Sequence, residues 1–351
     1  MKPKYCKYII VALLLIGLWS CGNLVEQDPL AFIPPIFPEE IEVTPTYLDV
    51  DIILVATLGI TVKDTALLIR GYDGKRRVHV VDKRNGKHIT GMALHGRGPG
   101  ELTSVQSVSV RGDSIYIYSG ASHVLHKYYS DNSYYDPEPN DVIQFNDGTL
   151  YLVYPFKNKY IGFLTRDKRI RVYDELGIVE SAYNRYPDFG NIGYSDSIIV
   201  RNTLFSTQSI SIKPDNTKFV SAHSWGAMFE IFSLAGDTIS LYKEKRFYPP
   251  KVNVIKPFKD VEGLPDQVSG FWGVTSTDSY IYLSFCGQKF SEERKTAHYV
   301  YVFDWDGNPV RSYKVVGGIR VLDIDSFGKR IFFNTKNAEG EERFGYFDVL
   351  E

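Results

Sequence analysis

Six times between residues 59 and 333 the chain repeats one phrase: a short alternating strand, a tight turn carrying an aspartate, and a second strand dense in β-branched and aromatic residues. Residues 59–62 turn at Asp64 into 65–69, 108–110 turn at Asp113 into 114–118, and 142–145 turn at Asp147 into 149–154. Further on, 210–212 turn at Asp215 into 217–220, 273–276 turn at Asp278 into 279–283, and 322–324 turn at Asp325 into 329–333. Period-two alternation broken by turn residues is the signature of hairpins. Aspartate suits the breaks because its side chain bonds nearby backbone and tolerates left-handed angles.

From Asp64 to Asp325 the turn aspartates recur about every 52 residues, near the roughly 40–50 residue period of a four-stranded propeller blade. A third strand follows each pair, at 78–81, 124–128, 170–173, 228–232, 299–303 and 344–347. In four repeats a glycine turn, at Gly86, Gly177, Gly236 or Gly307, leads into a fourth strand. The second repeat shows none, since 131–140 reads as loop, and the last repeat ends at Glu351. Its outer strand must come from elsewhere, and residues 43–55 are the natural donor. The expected fold is therefore all-β: a six-bladed β-propeller over 43–351, closed by an N-terminal strand joining the last blade. Two packed sandwiches would need a linker near mid-chain, and the sequence offers none.

The N-terminus sets the address. Lys2, Lys4 and Lys7 precede an apolar run from Tyr8 to Trp19 that is shorter than the about 20 residues of a membrane span. A basic segment, a short apolar core and a small residue before the cut describe a secretory signal peptide, here residues 1–20. With Leu18 and Ser20 ahead of it, Cys21 resembles the acylated cysteine of the bacterial lipobox. Residues 21–42, carrying Pro29, Pro34, Pro35 and Pro38, read as the lipid anchor and an extended tether. The protein is thus expected in the cell envelope, as an outer-membrane lipoprotein facing the periplasm or the cell surface, held to the membrane by its N-terminal lipid.

Charge and cysteines narrow the chemistry. Removing Lys2, Lys4 and Lys7 from 40 basic residues leaves 37 against 42 acids, a net −5, which is no nucleic-acid footprint. Of the three cysteines, Cys6 leaves with the signal and Cys21 takes lipid, so Cys286 stands alone, with no internal disulfide and no cysteine-based metal site. No nucleophile elbow, phosphate loop or zinc-protease motif occurs, so neither a cofactor nor a metal is expected.

At 96–101 the chain reads Gly-Arg-Gly-Pro-Gly-Glu, and at 213–220 Lys-Pro-Asp-Asn-Thr-Lys-Phe-Val. Behind a lipoprotein signal, these phrases resemble the TolB-like six-bladed β-propeller lipoproteins of Bacteroidetes. The resemblance implies fold and envelope location and supplies no catalytic residues.

In a propeller the turns between first and second strands share one face. The opposite face gathers the blade-to-blade connections and the loops between second and third strands. The aspartate turns fall on the plain face, so candidate ligand-binding residues come from the loop-rich one. Arg97 and Glu101 flank the Gly-Pro-Gly turn, His223 and Trp225 sit on a loop after 217–220, and Trp272 lies where it can line the channel. A non-enzymatic module binding a protein or glycan on that face is the favoured reading. A calcium-dependent hydrolase or lactonase needs converging carboxylates, and Asp323 is the exception in acid-poor inner strands. A structural envelope scaffold is the third reading.

Overall fold

The computed structural model describes residues 32–129, 138–164, 169–187, 204–205, 209–236, 238–256, 260–292 and 296–350. The proposed acylation site at Cys21 and the signal peptide lie outside the described residues.

Among the described residues, the chain forms six sheets of at least four strands, arranged as a six-bladed β-propeller. Blade 1 comprises Thr57–Lys63, Ala66–Gly71, Arg76–Asp82 and His88–Leu94, and blade 2 comprises Ser107–Arg111, Ser114–Ser119, Val124–Tyr129 and Asp141–Gln144. Blade 3 is Leu150–Phe156, Lys159–Leu164, Ile170–Tyr173 and Val179–Tyr183, and blade 4 is Ser209–Ile212, Lys218–His223, Ala227–Ala235 and Thr238–Tyr248. Blade 5 is Phe271–Ser276, Tyr280–Phe285, Ala297–Asp304 and Pro309–Ile319. Blade 6 is Leu322–Ile324, Arg330–Lys336 and Glu342–Asp348, with Thr46–Leu48 antiparallel along its outer edge. An extra hairpin, Val252–Lys256 with Asp260–Gly263, stands in the connection between blades 4 and 5.

Each blade is buried on both faces, because successive side chains of a strand point to opposite sides. In the run Ala66–Ile69 of blade 1, Ala66 and Leu68 enter a cluster with Ile115 and Ile117 of blade 2. Leu67 and Ile69, between them, pack with Phe332 and Phe344 of blade 6. Comparable clusters seal the other four junctions, the aromatic-rich one between blades 4 and 5 centring on Phe229, Phe271 and Phe303. Continuous apolar runs in the middle strands follow from this two-sided burial.

Three expectations need correction. Residues 142–145 are not the inner strand of a third repeat; Asp141–Gln144 pairs with Val124–Lys127 as the fourth strand of blade 2, the strand expected to be missing. Asn146-Asp147-Gly148 has hairpin letters, yet it is the connection between blades 2 and 3. The inner hairpin of blade 3 instead turns at Lys157, whose φ is +51°. Tertiary packing decides the matter: Phe145 is buried between Tyr118, Tyr160 and Tyr173, with ring centroids 6.0, 5.7 and 5.1 Å away. The second correction concerns the tether, expected through residue 42. Glu40–Val43 already lies in the domain, parallel to the outer strand of blade 5 in register Glu40↔Ser312 to Val43↔Val315. Third, of the donor segment 43–55 only Thr46–Leu48 pairs with blade 6; the following residues run along blade 1, where Val55 N–H donates to Tyr72 O at 2.9 Å.

Candidate functional site

The loop-rich face is most elaborate where blade 4 meets blade 5. The turn after Lys218–His223 is bound to the next connection: Gly226 N–H donates to Val268 O at 3.2 Å and Gly270 N–H to Ser224 O at 2.8 Å. A Cβ on residue 270 would fall 1.6 Å from Gly226 O, so only glycine fits this close approach. Trp225 is half-buried there, tilted against Phe290 with centroids 5.3 Å apart, beneath the hairpin residue Gly263. Trp272 Nε1–H donates to Ser269 Oγ at 2.9 Å, and Ser269 also bridges to Trp225. Ser269 thus takes the Trp272 indole with its side chain while its backbone lies beside that of Trp225. Trp272 lines the central channel as well as packing beside blade 6.

His223 belongs to the same corner but not to its surface. Its side chain is fully buried, and Nε2 lies 3.1 Å from Glu230 Oε2. Glu230 is gripped through both carboxylate oxygens by Arg169, whose Nη1 also donates to Arg185 O at 3.0 Å. Burial alone would raise the Glu230 carboxyl; the Arg169 charge and the bonds from His223 and Arg169 outweigh it and hold it at about 2. Burial pushes the His223 imidazole down against the pull of Glu230, so it stays neutral. Its Nε2–H is then assigned as donor to Glu230, and Nδ1 has no hydrogen-bond partner among the described residues. The ring abuts Phe205 edge-on, with centroids 5.6 Å apart. Hence His223 is a supporting residue beneath Trp225 rather than a surface contact.

Arg97 and Glu101 lie elsewhere, in the connection between blades 1 and 2. Glu101 turns inward: its Oε2 accepts the Gly98 N–H at 2.7 Å, and a Cβ at Gly96 would fall 1.8 Å from the same oxygen. The carboxylate shapes its own loop, while Arg97 is exposed. The base of this loop is braced by residues the sequence did not single out. Arg77 donates to Thr103 O at 2.8 Å and to His95, and lies 4.3 Å over the Tyr72 ring. Asp147, expected on the plain face, sits at the next connection and takes bonds from Arg171, Tyr173 Oη (2.9 Å) and Thr149.

The inner strands enclose a cavity of about 1000 Å³ that runs to the plain-face turns. Asp323 projects into it and is fully engaged: Oδ2 accepts the Val62 N–H at 2.7 Å, and Oδ1 accepts from Thr275 Oγ1 and from Ile324 N–H at 2.9 Å. Enclosure by protein raises its pKa against those bonds. Arg70 reaches across the junction of blades 1 and 2 to the carbonyls of Leu58, Val105 and Gln106. Among the described residues no group of three His, Cys, Asp or Glu is placed to hold a metal ion.

Comparison with known proteins agrees with this architecture. The family of TolB-like six-bladed propellers matches residues 36–327. A crystal structure of a protein described as exported, from Bacteroides fragilis, is similar over 89% of this chain and 99% of that one, at 13% identity and a TM-score of 0.56. The β-propeller domain of Cps50 (Swd1) from Myceliophthora thermophila is similar over 87% of this chain and 100% of its own, at 12% identity and a TM-score of 0.48. No curated protein matches the sequence.

Proposed function

Since the chain belongs to the TolB-like six-bladed propeller family, we propose that it is a lipid-anchored envelope protein whose propeller is a non-enzymatic binding module, engaging a protein or glycan on its loop-rich face. One observation carries the reading: the half-buried Trp225 and Phe290 pack together under an added hairpin on that face. Tryptophan offers a large rigid apolar face with a polar edge, suited to a sugar ring or to an anchor residue of a partner. The one candidate base in this corner, His223, is buried and committed to Glu230, which favours binding over catalysis. Asp323, the channel carboxylate on which a calcium-dependent hydrolase would draw, is already taken by Val62, Thr275 and Ile324.

The test is titration of the purified protein with a glycan panel, followed by calorimetry, alongside photo-crosslinking in cells from the exposed neighbouring position 291. A saturable signal or a single cross-linked partner, lost in Trp225→Ala, supports the reading. Metal-dependent turnover of lactones or esters, or ligand binding indifferent to Trp225→Ala, refutes it.

A further inference from the structure

The chain ahead of blade 1 is fastened over four consecutive blades. Residues 49–56 lie along blade 1, Thr46–Leu48 edges blade 6, and Glu40–Val43 edges blade 5. Before that, Phe37 packs on Tyr301 and Phe303 of blade 5, with centroids 4.6 and 5.4 Å away. Earlier still, Ile33 N–H donates to Arg246 O of blade 4 at 3.0 Å. Phe32 joins a cluster with Leu204, Phe205, Met228, Trp225 and Val252. The described strap therefore reaches the loop-rich face of blade 4, beside the tryptophan corner, about half of the ring away from blade 1.

This start point limits where the molecule can sit. Were the domain to begin at residue 43, the 22 steps back to Cys21 would span up to about 75–80 Å, enough for any orientation. With Phe32 fixed, residues 22–31 are all that separate it from Cys21, and a chain of that length spans at most about 40 Å in any conformation. The surface around residue 32 carries apolar side chains suited to a lipid interface, Ile36 being 86% and Ile33 46% exposed, and at the added hairpin's base the half-exposed Lys251 pairs with Asp266. Amphipathic tryptophan and long cationic side chains sit well at a headgroup boundary.

We propose that the fourth-blade edge of the loop-rich face is the surface apposed to the bilayer that holds the Cys21 lipid, with the plain-face turn of blade 2 held away from it. The proposal rests on the lipid-anchored reading given above and adds an orientation to it. It places the Trp225 corner where a membrane-embedded or membrane-proximal partner is met first.

The experiment uses the full-length lipidated protein in phosphatidylethanolamine–phosphatidylglycerol vesicles, in a Cys286→Ser background. A donor dye is attached through Ser291→Cys beside Phe290 or through Asp113→Cys in the blade 2 turn, both exposed positions, and the acceptor is a headgroup-labelled lipid. Energy transfer from position 291 is expected to exceed that from 113 severalfold. A flexible 20-residue Gly/Ser insert between residues 31 and 32 is expected to erase the difference. Equal transfer from both positions, on protein whose mass shows the acyl chains, overturns the orientation. A mature protein without acyl mass overturns the anchoring reading and takes this proposal with it.

Discussion

Glu230→Gln is the substitution that most directly probes the buried corner under Trp225. Glu230 and Arg169 have side chains only 1% and 2% exposed, so an amide at 230 keeps the volume but strands a guanidinium away from water. Breaking a buried pair by removing one charge costs about 3–5 kcal/mol. Proton affinity gives a second route to the magnitude. Each tenfold change is worth about 1.36 kcal/mol, so a carboxyl held at about 2 rather than 4.5 contributes about 3 kcal/mol to the folded state. Because the folded value is depressed, that stability is present above pH 4.5 and is lost as pH falls toward 2. His223 adds a separate acid loss: its folded imidazole titrates below 6.5, so the unfolded chain binds the proton first and stability declines as pH drops through 6.5. Urea titration of the mature protein at pH 7 should show Glu230→Gln losing about 3 kcal/mol, with a fall in Tm of roughly 4 °C. Its stability should then fall by less than the parent's between pH 4.5 and 2, the remaining decline coming from other bound carboxylates such as Asp147. Adding Arg169→Met removes the stranded cation and should recover most of the loss. A loss below about 1 kcal/mol, or a double variant weaker than the single one, would refute the account of a charge held by its partner. By contrast, Glu42→Gln at the exposed Lys314–Glu42 pair should change stability by under about 1 kcal/mol.

Gly270→Ala should destabilise by about 1–3 kcal/mol or more through its clash with Gly226 O, whereas Gly148→Ala, with open space at its Cβ, should pass nearly unnoticed in the same melting assay. Asp147→Asn should cost about 1–3 kcal/mol by weakening the bonds to Arg171 and Tyr173, read as a shift in urea midpoint; an unchanged midpoint would contradict the geometry. Cys286, only 5% exposed, should react with a thiol reagent at the rate of unfolding rather than at the rate of a free thiol. Deleting residues 32–48 should speed amide exchange in Pro309–Ile319 and Glu342–Asp348 before other strands, since both edges then lie open.

The fold was legible because a propeller repeats its local chemistry. Five of the six aspartate turns join the inner two strands of a blade, and each inner strand carries the alternation expected of it. The third repeat misled for a definable reason. Asn146-Asp147-Gly148 and its flanks satisfy every local rule for a hairpin, but hairpin letters state only that the chain turns, not which strands it joins. Here the answer lay in contacts distant in sequence: Phe145 packs into an aromatic cage drawn from two blades, and Asp147 is bound by Arg171 and Tyr173, 24 and 26 residues away. The true inner turn, Lys157-Asn158, carries no glycine or aspartate, and its single asparagine is a weaker mark than Asn146-Asp147-Gly148 just before it.

The candidate site was legible in its aromatic residues and opaque in its charged ones. A tryptophan between two strands announces a loop that holds something, and Trp225 does pack on Phe290 where the two connections are bridged at Ser269. Arg169, Glu230, Arg70 and Arg77 gave no such sign, because a charged residue inside a strand reads as surface until its partner is known, and those partners lie 61, 35 and 26 residues away. The same logic reverses the standing of Glu101 and His223: both face inward to satisfy donors of their own scaffold, so their polarity is spent on the fold. What this corner offers for stacking is the half-buried pair Trp225 and Phe290, with Lys251, Glu262, Asp266 and Lys289 exposed in the neighbouring loops. A surface of that kind discriminates by shape and stacking, and so the residue whose loss should silence this face is Trp225, rather than any of the ionisable groups that a search for chemistry would choose first.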